Sequence, residues 1–173
     1  LTKIPHGSSL PPIAFNIATT KATNALLEKK TPPVTLFINK GLEDLLSIGS
    51  QQRTDLFSLS PKHTSFIPQN VIPISARLTP NGDEIDTLNE KEITRHTDSW
   101  KNTQAAICLL HSTKNPQHEK KLKRILRRLG IKVGGISSEL SPFIKIIDRA
   151  ETVVVNAALE PVLGNYINLI KNS

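Results

Sequence analysis

The chain is predicted to be an α/β domain: a mainly parallel sheet flanked by helices and built from strand–helix units. Three observations carry that expectation. Short apolar runs, the β-branched and aromatic Val34–Ile38 and the aliphatic Ala105–Leu110, have the composition of strands buried on both faces. Each is followed by a segment with helical spacing of leucine and isoleucine. Glycine, proline and asparagine punctuate the joins.

Residues 1–12, LTKIPHGSSLPP, read as an irregular lead-in. The domain proper is assigned to residues 13–173. It opens with a predicted strand near Ile13–Ala18, a threonine loop, and a helix over Ala22–Lys30 with Leu26 and Leu27 on its buried side. A strand leading through hydroxyl side chains into a helix can form an anion site, because free N–H groups and the helix dipole meet there. Thr20 or Thr23 could equally be a simple N-cap, and the residues alone leave both readings open. Thr31-Pro32-Pro33 ends this helix, and Val34–Ile38 forms the next strand. Asn39-Lys40-Gly41 turns the chain into a second helix with Leu42, Leu45, Leu46 and Ile48 expected inward, closed by Gly49. Two consecutive strand–helix units favour parallel strands joined by right-handed crossovers.

Residues 50–104 read as a long excursion. Within it VIPISARL is expected to be an edge strand, because Pro73 is poorly tolerated centrally. Asn81-Gly82 signals a hairpin turn, and Leu88 to Thr103 reads as an amphipathic helix with Leu88, Ile93 and Trp100 inward. A third unit follows. Ala105–Leu110 is the strand, Asn115 caps a helix with Pro116 in its first position, and Gly130 takes the left-handed terminus. Leu122, Ile125, Leu126 and Leu129 make the inward stripe of that helix. IKVGGIS is the next strand, with Gly134-Gly135 expected to allow close packing. Residues 141–172 read as one or two helices, kinked or divided at Pro161.

Composition restricts the function. Hydrophobic residues are 38% and charged residues 21% of 173, an ordinary balance for a folded domain. No apolar run approaches the roughly 18–20 residues of a membrane span, and no membrane partner is expected. Cys108 is the single cysteine, so no internal disulfide can form, which suits a reducing, cytoplasmic setting. The net charge is +7, and residues 119–128 hold six cations (Lys120, Lys121, Lys123, Arg124, Arg127, Arg128) against Glu119, a local +5. No aromatic residue interleaves with them, so this face reads as solvated and no nucleic-acid partner is expected. The five histidines lack metal-ligand spacing, and no metal is expected. No P-loop, G-x-S-x-G or G-x-G-x-x-G motif occurs. The chain starts at Leu1 and contains no methionine, which suggests a fragment, a processed product or an edited sequence.

Several segments together resemble the N-terminal region of hydantoinase A and 5-oxoprolinase proteins. TTKATNALLEKK matches the family's HGTT-x-ATNALLER, and NKGLEDLLSIGSQQRTDLFSL matches TKGF-x-DVLEIGRQ-x-RPDLYDL. NGDEIDTLNE, CLLHSTKNPQHEKKL (against CLLFS-x-x-NP-x-HE), SSELSP and ETVVVNAALEPVLGNYI follow in family order, so the resemblance covers residues 14–170. It implies a fold related to actin-like and sugar-kinase ATPases, and ATP-dependent opening of a cyclic amide such as hydantoin or 5-oxoproline. On the matched motifs, Thr19, Thr20 and Asn24 become candidates for binding ATP, with Mg possible in the full-length protein. Arg53, Asp55, Arg149 and Asn156 become candidates for binding substrate, and no catalytic acid or base is assigned. A second protein subunit, or further domains of the same protein, is the implied partner. The departures bear on activity. HG is replaced by Ile17-Ala18, the proline of R-P-D is Thr54, and the DVGGTFTD segment that usually opens these proteins does not occur in this sequence. The chain is therefore expected to be inactive alone. A non-catalytic interaction or regulatory domain derived from the same fold is the alternative.

Overall fold

A computed structural model describes residues 16–50, 68–94 and 100–171. Six strands and six helices lie along them. β1 (Val34–Asn39), β2 (Asn70–Ile74), β5 (Gln104–Cys108) and β6 (Lys132–Ile136) form one sheet in the order β2-β1-β5-β6, with every pairing parallel. β3 (Arg77–Leu78) and β4 (Glu84–Asp86) form a separate antiparallel hairpin. The mainly parallel sheet with flanking helices is the fold expected from the sequence.

β1 and β5 are buried at every position because helices cover both faces. On one face Phe37, Ile107 and Leu109 meet α3 (Glu90–Thr94), α4 (Gln117–Arg128) and Trp100. Phe37 and Trp100 pack edge to face, with ring centroids 5.2 Å apart at 88°. On the other face Leu36, Ile38, Ala106 and Cys108 meet α2 (Leu45–Ile48) and α6 (Ile146–Lys171). α1 (Lys21–Leu27) packs on α6 from outside, and α5 (Ser137–Leu140) follows β6 directly.

α6 approaches the sheet closely at β6. A Cβ on Gly134 would stand 2.5 Å from Ala157 Cα, and one on Gly135 would stand 2.5 Å from Leu140 Cδ1. The β5–β6 register slips between Ala105 and Ala106, so that Val133 and Gly135 find partners while Gly134 is extra. This irregularity lets two consecutive glycines both meet the helical layer, and the close packing expected of them is found.

Several expected elements differ. Asn16 to Thr20 are exposed and form no strand, and the rest of the strand expected at 13–18 lies outside the described residues. α1 ends earlier than expected, buries Ala25, and leaves Leu27 77% exposed, because it rests on a helix rather than on the sheet. Ile48 is also exposed, since α2 is a single turn that turns only Leu46 fully inward. VIPISARL divides at Ser75-Ala76: its first part is the sheet edge, where Pro73 was placed, and its second part enters the hairpin. Of the helix expected over 88–103, only Glu90–Thr94 is helical among the described residues. Leu88, Ile93 and Trp100 are nevertheless buried as expected. α4 starts one residue later than expected, with Pro116 at its cap and Asn115 Oδ1 accepting from Gln117 N–H (3.1 Å).

α6 is one continuous helix of 26 residues with Pro161 inside it. Neighbouring turns carry it past the single N–H that proline removes. By length and mean hydropathy (1.3) it also meets the criteria for a membrane span, contrary to expectation. Averaged over a window, the apolar residues outweigh the polar ones scattered among them. Its first half is committed to the core through Ala150, Val153, Val154, Ala157 and Ala158.

Candidate functional site

Open parallel sheets offer ligand sites outside the carboxyl ends of their strands, where the strand order reverses. Here the chain runs from β1 outward to β2 and then crosses to β5 on the other side of β1. The reversal therefore falls between the carboxyl ends of β1 and β5, and a cleft of about 510 Å³ opens beside it, at the ends of β1 and β2. Asn39 and Lys40 line it from β1, Ser75 and Arg77 from the end of β2 and the hairpin, and Asp86 and Glu92 from the far wall. Charges of both signs and a carboxamide thus converge on one opening. A larger cleft of about 630 Å³ runs along β2 past Pro73 and Trp100, and among the described residues Glu92 is the charged side chain lining it.

The cleft floor is hydrogen-bonded. Asn39 is 5% exposed; its Nδ2 donates to Ala76 O, and its Oδ1 accepts from Leu110 N–H at 2.6 Å. Lys40 N–H donates to Ile74 O (3.0 Å), and Ser75 Oγ donates to Glu92 Oε1 (3.0 Å). One asparagine therefore ties together the ends of three elements. An apolar residue there would leave a buried N–H unpaired.

Beneath the carboxyl end of β5 two charged residues are fully enclosed, Glu119 at 0% and Arg149 at 1% exposure. Glu119 Oε1 accepts from Leu109 N–H (2.8 Å) and Ser137 Oγ (2.7 Å), and Oε2 accepts from Ser138 N–H (2.9 Å). Arg149 Nη1 donates to Ser112 Oγ (2.6 Å) and Ser137 Oγ (3.3 Å), and Nη2 donates to Leu109 O (3.0 Å). Ser137 stands between the two charges and compensates both. Beside them burial pushes the Cys108 thiol up to about 12, outweighing the lowering effects of Arg149 and Ser137. Cys108 is thus the inert core residue its setting predicts. His118, also buried, bonds Glu84 Oε1 through Nε2 at 2.5 Å and fastens the hairpin to α4.

The sequence candidates are not gathered into one place. Thr19, Thr20 and Asn24 are exposed around the start of α1. Thr19 Oγ1 accepts from Lys21 N–H (3.2 Å), and Thr20 occupies the cap position without a side-chain cap bond. Lys21 Nζ lies 5.1 Å from the Tyr166 ring, seventeen residues beyond Arg149 and so roughly 25 Å further along the same helix. Arg149, a substrate candidate in the sequence, lies in the first turn of α6, buried, with its Nη1 and Nη2 engaged internally. Asn156 Nδ2 donates to Gly134 O (2.8 Å), a tie between α6 and β6. Arg53 and Asp55 lie outside the described residues. Among the described residues no cluster of three His, Cys, Asp or Glu could hold a metal.

Asn39, Lys40, Arg77, Glu92 and Glu119 were not singled out by sequence reasoning. Asn39-Lys40 read as a turn, although a polar pair directly after a buried strand marks a carboxyl edge. Glu119 was counted in the charged face, although it lies three residues before Leu122 and seven before Leu126, on the apolar stripe.

Fold and cleft define an open α/β domain with a polar cleft at the carboxyl ends of its strands. The chain belongs to the family described as the hydantoinase/oxoprolinase N-terminal region, whose model matches residues 13–130. Caprolactamase subunit alpha of Pseudomonas jessenii is 34% identical over 160 residues, which cover 88% of this chain and 23% of that protein. 5-Oxoprolinase of Saccharomyces cerevisiae is 30% identical over 187 residues, covering 91% of this chain and 14% of that protein. The crystal structure of the ATP-dependent caprolactamase from Pseudomonas jessenii superposes with a TM-score of 0.76 at 32% identity, over 88% of this chain and 23% of that one. The chain thus spans less than a quarter of the length of these relatives.

Proposed function

We propose that this chain is one part of an ATP-dependent hydrolase that opens a cyclic amide of the hydantoin, 5-oxoproline or lactam class. The observation that carries the reading is the similarity in sequence and structure to the ATP-dependent caprolactamase over 88% of this chain. ATP would supply the phosphoryl group that activates the amide oxygen, and positioning and charge stabilisation would do the rest. Within this chain the carboxyl-edge cleft suits a small polar ligand. Lys40 and Arg77 can neutralise negative charge, while Asn39 holds the strand ends in place. Thr19, Thr20 and Asn24 leave exposed polar groups open to ATP-Mg. They form no closed phosphate cradle by themselves, because Thr19 Oγ1 already accepts from Lys21 N–H and α1 has only seven residues. The remaining contacts come from further domains or from a second subunit in the cytoplasm, and the chain alone turns nothing over.

The test is calorimetric titration of ATP-Mg, hydantoin, 5-oxoproline and caprolactam into this chain and into the complete protein. Binding of nucleotide together with one amide by the complete protein supports the reading. An absence of both kinds of binding there sinks it in favour of a non-catalytic interaction domain, which the Ile17-Ala18 replacement of HG favours.

A further inference from the structure

Leu109 is held by a buried charge at each of its backbone groups. Its N–H donates to Glu119 Oε1 (2.8 Å), and its carbonyl accepts from Arg149 Nη2 (3.0 Å). The next N–H, that of Leu110, donates to Asn39 Oδ1 (2.6 Å), and Ser112 Oγ accepts from Arg149 Nη1 (2.6 Å). Between these fastenings sits His111, with φ at +60°. A left-handed backbone is unfavourable for a residue with a Cβ, and it persists where its surroundings over-determine it. A turn fastened on both sides, at the strand-order reversal, is over-determined in this sense. Ordinary stability would be served as well by apolar residues in place of two enclosed charges.

We infer that Glu119 and Arg149 are positioning residues. They clamp the turn Leu110–Ser112 in its left-handed form so that Leu110 N–H holds Asn39, which lines the carboxyl-edge cleft, in place for the ligand. Neither residue touches the ligand. Arg149 thereby acts through Leu109 and Ser112, which replaces the direct substrate contact expected from sequence. The inference rests on the preceding reading that the carboxyl edge is the ligand site.

Two conservative variants separate positioning from simple support. Arg149→Lys keeps the charge but loses the fork, so it cannot reach Leu109 O and Ser112 Oγ together. Glu119→Gln cannot accept from both Leu109 N–H and Ser138 N–H. In the full-length protein with residues 109–112 selectively labelled, the HN–Hα coupling of His111 reports its φ. Either variant should move His111 out of the left-handed region. His111→Gly, which takes that φ freely, should restore the turn in the Arg149→Lys background. Addition of ATP-Mg with 5-oxoproline should shift the 109–112 resonances in the unaltered protein, and that response should fall at least threefold in Arg149→Lys. An unchanged His111 φ in both variants overturns the clamp. Ligand binding that leaves 109–112 unshifted overturns this inference and leaves the proposed function standing. Failure of the complete protein to bind either compound overturns both.

Discussion

Leu109, Glu119, Ser137 and Arg149 show how a single buried position can be decided by what it accepts and donates. Replacing Arg149 with Met would leave the Glu119 carboxylate enclosed without a compensating charge, at a cost of about 3–5 kcal/mol. Replacing Lys123, whose pair with Glu139 (2.7 Å) is partly exposed, should cost no more than about 1 kcal/mol. Urea denaturation of the two variants measures the contrast, and equal losses would contradict the buried network. Cys108 gives a pH signature. Its thiol has a folded value near 12 against 9.0 for the free group, so above pH 9 the unfolded chain releases a proton that the folded chain keeps. Its contribution to stability is therefore complete below pH 9 and lost as pH rises toward 12. Correspondingly, iodoacetamide at pH 8 should leave Cys108 unmodified in the folded protein and alkylate it in urea. Gly134 is decided by space rather than charge. Gly134→Val must displace Ala157 Cα, which a Cβ meets at 2.5 Å, and should cost about 1–3 kcal/mol or more.

At the scale of elements, legibility followed the strength of the local pattern. β1 and β5 were readable because burial on both faces leaves an almost unbroken apolar run. α4 was readable because its stripe repeats through Leu122, Ile125 and Leu126. The polar members of that stripe, His118 and Glu119, were hidden because charge on a basic helix ordinarily means solvent. Only tertiary partners, Glu84 for one and Leu109, Ser137 and Ser138 for the other, explain their burial. α1 was misread in its facing because it packs on a helix, and no local signal distinguishes that from packing on a sheet. α6 was expected to kink or divide at Pro161; it does not divide, and the helix runs on through its second half. Pro161→Ala would restore the missing N–H and remove the ring, and should raise stability by up to about 3 kcal/mol. A loss of stability in the same denaturation experiment would show that the proline is needed where it stands.

For the whole molecule, the candidate site was less legible than the fold. The motif residues Thr19, Thr20 and Asn24 identify the family while lying apart from the carboxyl-edge cleft, and Asn156 serves the α6–β6 contact. Motif resemblance marks which side chains belong to a family. It does not say whether each one meets the ligand or holds another residue that does. The cleft became visible only once the strand order was known, because Asn39, Arg77 and Glu92 are distant in sequence and converge through β1, β3 and α3. Similarity to the ATP-dependent caprolactamase then gives the cleft a chemical context. The central claim is best tested by following phosphate release and ring opening together in the complete protein, with 5-oxoproline, hydantoin and caprolactam each in turn. The account predicts that one of these amides stimulates ATP hydrolysis with about one phosphate released per ring opened, the ratio expected when phosphoryl transfer activates the amide. It also predicts that Lys40→Ala with Arg77→Ala lowers both rates together. Ring opening that proceeds without ATP, or amide-stimulated hydrolysis indifferent to the double substitution, would contradict it.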